Sequence, residues 1–282
     1  MMKKLITISC AALLISCGNS STENTVNTDD QKDTVKKEAA SQPTIDLVDF
    51  QFQTLVINVP SPFEIITFLP KCNFPFNKSL LNITDNESKY TTTTKKGLNY
   101  GVYVVDLVYL STNEQFSEVK NYFKTSKNLA QSLGCDESFN NIAGSRLEKN
   151  IDKKDTINKV IDQIYTEMDG YLRSNDRLLT ATQILVGSWI ESQYITISLI
   201  KDVERNKDND ILFKKIIEQN FTSQKLVQLL KEYEKEKELK ATILAVGELD
   251  KIYSSIHNGE LDKSTLAKLY SKLSDARGKI VN

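Results

Sequence analysis

A single histidine, His257, serves all 282 residues. That leaves too few imidazoles for most zinc sites and strips histidine-based nucleophilic catalysis of its usual base. No phosphate loop or clustered metal ligands stand out either, so neither a metal nor a cofactor is expected. Charge of one sign is also missing. Lysine and arginine total 36 against 37 acidic residues, a net charge of −1, which leaves no electrostatic case for nucleic acid binding. Proline is scarce, with five residues, and period-two strand patterns are nearly absent beyond residue 94.

What is present at the start reads in three zones. Met1-Met2-Lys3-Lys4 is positively charged. Leu5–Ile15 is an apolar run suited to a secretory signal and too short to cross a bilayer. Leu14-Ile15-Ser16-Cys17 then resembles the lipobox of bacterial lipoproteins. This resemblance implies cleavage after Ser16, acylation of Cys17, and attachment to an envelope membrane through lipid alone. More than one acyl chain gives stable anchoring. Gly18 in place of an aspartate implies sorting to an outer membrane, facing either periplasm or exterior. Residues 17–44 follow as a polar tether without the apolar surface needed to fold; about 26 such residues span on the order of 28 Å. In an oxidising compartment, Cys72 and Cys135 read either as a disulfide or as two small buried hydrophobes.

Residues 45–282 read as one all-α domain, with a possible sub-boundary near 203–208. Phe50–Val59 alternates like a strand without a partner and is read as an extended arm. Ser61 and Pro62 give a helix start before Phe63–Leu69. Helical periods then follow over Lys96–Thr112, Asn113–Leu133, Asp136–Ile151, Asp155–Asn175, Asp176–Lys201, Lys207–Asn220, Thr222–Leu239, Lys240–His257 and Leu261–Val281. Gly134 and Asn258-Gly259 are the expected terminators. The expected arrangement is antiparallel helical hairpins stacked in two layers. Leu178–Ile200 has the length of a bilayer span, but Glu191 near its middle is costly there, so a buried central helix is the better reading. Gly187 and Ser188 allow a neighbour to come close. Glu232–Lys240 reads as a solvated helical face of mixed charge.

The residues that break the pattern are polar ones on apolar faces. Asp106 interrupts Val102–Leu110, with Tyr103 and Tyr109 three residues to either side. Glu191 interrupts the central helix one turn before Tyr194. Arg146 stands between Ile142 and Leu147. A charge cannot stay isolated in a core. Either Arg146 bridges a carboxylate in a structural network, or Asp106, Arg146, Glu191, Tyr103, Trp189 and Tyr194 line a pocket. As an acid/base pair cleaving glycans, Asp106 and Glu191 would need an open cleft and a separation of roughly 5–9.5 Å.

Three stretches in order, Leu98–Leu107, Arg146–Asn150, and Gly187–Glu191 with Tyr194, are together similar to a family of uncharacterised lipoproteins of Bacteroidota. The similarity covers residues 60–201, and the family often carries Gly where Ser188 stands. It implies an exported helical protein and no established activity. The expected function is therefore a lipid-anchored envelope module that binds a small ligand or an envelope protein. A hydrolase and an assembly scaffold are the alternatives.

Overall fold

The computed structural model describes residues 61–135 and 153–282. Cys17, the tether, the proposed arm at Phe50–Val59 and Arg146 lie outside them. The described residues form an all-α structure without a strand. Ser61 Oγ accepts the Phe63 N–H at 3.3 Å, and the short α1 (Glu64–Phe68) follows. A 3-10 turn at Pro70–Cys72 ends at Asn73, whose φ is 60°. An irregular segment with 3-10 turns at Lys78–Leu80 and Thr84–Lys89 leads to α2 (Thr93–Thr112), where the Thr92 side chain accepts the Lys95 N–H.

α3 (Phe116–Ser132) folds back on α2 and is closed by Gly134 at φ 66°. α4 (Lys154–Ser174) buries Ile157, Val160, Ile161, Ile164, Met168 and Leu172. This stripe at three- and four-residue spacing faces α2 and α5 (Leu178–Ile200). The C-terminal part comprises α6 (Asp210–Lys231), α7 (Lys240–Ser254) and α8 (Lys263–Val281). α7 packs on both α6 and α8, and α8 reaches back onto α5 and α2. Asn258 and Gly259 both take positive φ at the break before α8.

The centre of the fold is the pair α2 and α5, the two helices buried on nearly all sides. Their backbones touch. A Cβ on Gly101 would lie 2.2 Å from the Ile184 carbonyl oxygen, and one on Gly187 would lie 2.0 Å from that of Leu98. Ser188 Oγ bonds the Ile184 carbonyl at 2.9 Å and the Gly101 carbonyl at 3.3 Å, across this seam. Among the described residues no helix is long and apolar enough to cross a membrane.

Two expectations need correction. The break expected between Asn220 and Thr222 does not occur, because Ser223 and Leu226 keep the buried stripe of Ile216 and Gln219 running through it. The chain instead leaves the α-helix at Glu232. Glu232–Leu239 is a turn followed by a 3-10 turn at Lys237–Leu239, and Lys240 opens α7. Between Leu230 and Leu239 only Tyr233 offers apolar surface, and it is half-buried. A helix there would have no face to dock, and charge pairs alone supply too little.

The seam predicts opposite results for two glycines. Gly187→Ala forces backbone apart and should cost about 3 kcal/mol or more, lowering Tm by roughly 6–12 °C. Gly247→Ala in α7, whose Cβ meets nothing within 4 Å, should hold or raise Tm. Thermal melts of the two variants followed by circular dichroism check this.

Candidate functional site

Asp106 on α2 and Glu191 on α5 are both fully buried, and they meet. The cation that answers them is Arg277 of α8. Its Nε donates to Glu191 Oε2 at 2.6 Å and its Nη2 to Oε1 at 2.8 Å. The second Nη2 hydrogen goes to the Leu80 carbonyl at 2.9 Å. The guanidinium also lies over the Tyr194 ring, 4.5 Å from its centroid. Burial opposes the arginine's charge, but Glu191 more than offsets it and raises the pKa. This bidentate pairing is of the kind expected of Arg146, which lies outside the described residues.

Asp106 is held differently. Its Oδ2 accepts the Asn82 backbone N–H at 3.1 Å, whereas no donor serves Oδ1. Burial first, and then the adjacent Glu191 charge, push its carboxyl well above the usual range; Arg277 and the Asn82 N–H pull the other way without prevailing. That balance favours the protonated, neutral carboxyl, which can stand beside the Glu191 carboxylate without like-charge repulsion. One neutral acid, one carboxylate and one guanidinium leave the cluster without net charge, which makes its burial tolerable.

Around this triad the irregular segment is tied down by amides and phenols. Tyr103 donates to the Ile83 carbonyl at 2.8 Å. Asn82 Nδ2 donates to the Tyr90 hydroxyl at 2.9 Å, and Asn86 Nδ2 to Asn82 Oδ1 at 2.7 Å. The last carbonyls of α8, which have no partner inside the helix, are met from outside. Asn99 Nδ2 donates to that of Ile280 at 2.8 Å, and the Tyr90 hydroxyl to that of Val281 at 3.2 Å.

A cavity of about 280 Å³ opens to solvent on the far side of Arg277. Arg277, Tyr194, Ser274 and Gly278 form one wall, and Asn82, Ile83 and Asn86 the other. Thus Asp106, Glu191, Tyr103 and Tyr194 lie together, and of these Tyr194 lines the opening. The carboxylates stand behind the arginine and out of contact with water. Trp189 is placed elsewhere. Two residues along an α-helix are about 200° apart, so Trp189 cannot share a face with Glu191. It donates to Gln219 Oε1 at 2.9 Å and packs on Tyr253.

Cys72 and Cys135 are buried and not joined by a disulfide. Burial raises the Cys72 thiol, and the Cys135 sulfur lies 3.9 Å from Arg177 Nη1. Among the described residues no group of acidic, histidine and cysteine side chains is arranged to hold a metal. No protein-family model, curated protein or solved structure matches the chain.

The triad sets a pH dependence. Asp106 keeps its proton when folded and loses it when unfolded, so its contribution to stability falls as pH rises above the ordinary aspartate range. Asp106→Asn mimics the protonated acid, accepting from Asn82 and donating to Glu191. It should match or exceed the parent at pH 7 and flatten that decline. Glu191→Gln strands a buried guanidinium and should cost roughly 3–5 kcal/mol. Urea midpoints measured between pH 4 and pH 8 separate the two.

Proposed function

We propose that the chain is a lipid-anchored envelope protein whose helical domain binds a small polar ligand in the cavity beside Arg277. The cavity carries this reading, because it joins the two features expected of a binding site. It is concave, and its arginine and asparagines are held by other protein groups before any ligand arrives. Glu191 and Tyr194 hold the guanidinium from its edge and its face, while Leu80 takes one more of its hydrogens.

The hydrolase alternative is disfavoured by the same geometry. Asp106 and Glu191 are both fully buried, which gives a water or a glycosidic oxygen no access to the pair. A scaffold would call for a broad apolar patch. The large exposed apolar side chains among the described residues are Ile83, Phe221 and Leu244, which stand on separate elements. Ile83 belongs to the cavity itself.

The lipid anchor is supported by the order of Lys3-Lys4, Leu5–Ile15 and Leu14-Ile15-Ser16-Cys17. Expressed in a bacterial host with labelled palmitate, the chain should incorporate label and partition into detergent. Cys17→Ala should abolish both. Label retained by that variant would overturn the anchor.

Binding has its own test in Gly278→Leu. A Cβ at Gly278 meets nothing nearer than Asn282 Nδ2 at 3.9 Å, so leucine can fill the cavity without strain and improve helix propensity. Ligand-observed NMR with a mixed set of sugars, carboxylates, phosphates and short peptides should give signals with the parent that vanish with this variant. A set in which no compound tells the two proteins apart sinks the binding reading.

A further inference from the structure

Resting on that binding site, we infer that its ligand is a neutral saccharide of one or two rings and not an anion. Three observations point there.

The first is the state of the arginine. Its charge is already matched by Glu191, through two hydrogen bonds of 2.6 and 2.8 Å, and neither Lys nor a second Arg joins it in the wall. A carboxylate or phosphate entering the cavity would give up water without meeting an uncompensated cation. The arginine still has hydrogen-bonding capacity. Of its five N–H groups, Glu191 and Leu80 take three. The two on Nη1 are not used by either partner.

The second is the composition of the remaining wall. Across the opening from Arg277, Asn86 spends its Nδ2 on Asn82 at 2.7 Å, which leaves its carbonyl oxygen as an acceptor. The wall therefore presents donors from Arg277 and an acceptor from Asn86. Sugar hydroxyls are both donor and acceptor and can satisfy both at once. A carboxylate only accepts and would oppose the Asn86 oxygen.

The third is size and shape. About 280 Å³ lies just below the range for small-molecule sites, roughly 300–1,000 Å³. That suits one or two sugar rings. Tyr194 and Ile83 add apolar surface beside the polar groups, as the C–H face of a pyranose requires.

The experiment compares matched rings. The full chain in a zwitterionic, sugar-free detergent is titrated by ligand-observed NMR with glucose, galactose and N-acetylglucosamine, and with glucuronate and galacturonate. At least one neutral sugar should bind saturably, and its uronate should bind about tenfold more weakly or not at all, for want of an unmatched cation. Gly278→Leu, at a position lining the cavity where a Cβ meets nothing nearer than 3.9 Å, should hold the melting temperature and abolish binding of the sugar. Uronates that bind as well as or better than neutral sugars overturn the saccharide assignment and leave the binding site standing, provided that Gly278→Leu blocks them. Sugar affinity untouched by Gly278→Leu overturns the assignment to this wall. If no compound of any class binds, the assignment falls together with the site.

Discussion

Most of what is distinctive in this molecule follows from a glutamate placed in the middle of its most buried helix. Glu191 has no contact with water, and a carboxylate there without a partner would cost more than a domain's whole stability margin. The fold answers with Arg277, which lies 86 residues away in sequence. That one side chain joins α5 to α8 and, through the Leu80 carbonyl, to the irregular segment before α2. Asp106 can come up against the pair only because it keeps its proton. One buried charged contact thus ties the C-terminal helix to α5, beside its apolar packing, and the last two carbonyls of that helix meet Asn99 and Tyr90.

The other polar residues of α5 divide into two kinds. The hydroxyls look after themselves. Thr182, Ser192 and Thr196 bond carbonyls of their own helix at 2.8–2.9 Å, so burying them asks nothing of the neighbours. The longer side chains reach outward, each to a different helix. Gln183 donates to Thr94 of α2, Trp189 to Gln219 of α6, and Gln193 accepts from Tyr253 of α7. With Glu191 and Arg277, the central helix is keyed to four others by specific hydrogen bonds. Apolar packing alone would let these helices slide or rotate, since hydrophobic contact has no direction; these bonds set their registers.

The sequence announced part of this and concealed the rest for physical reasons. Asp106 and Glu191 stood out because they interrupt apolar runs, and both proved to be buried together with Tyr103. Their cation could not be read in the same way. Sequence spacing places a side chain on a face of its own helix but says nothing about which distant helix will meet it. Arg277 sits among Asp275, Ala276, Gly278 and Lys279, which reads as a solvated helix end. The available signal was its position, four residues after Leu273 and three before Ile280, at the border of the buried stripe. Trp189 shows the reverse case. Its spacing from Glu191 already placed it on roughly the opposite face, and that geometric test was enough to separate it from the site. The helix boundary at Glu232 turned on the same rule, because the charged residues between Lys231 and Leu239 could not hold a helix that had almost no apolar face.

A guanidinium spent on an internal glutamate has little long-range pull left for anions, yet it gains something in exchange. An exposed arginine samples many rotamers, and a ligand that orders it bears that entropy. Here Glu191 grips one edge, Tyr194 stacks on the face, and Leu80 takes one more hydrogen. The Nη1 group is left in a fixed plane beside the cavity before anything binds. The asparagines opposite are ordered in the same way, Asn86 by Asn82 and Asn82 by Asp106 and Tyr90. Cancelling the charge and fixing the geometry are thus two results of one arrangement. It favours ligands recognised by the direction of their hydrogen bonds over ligands drawn in by their charge.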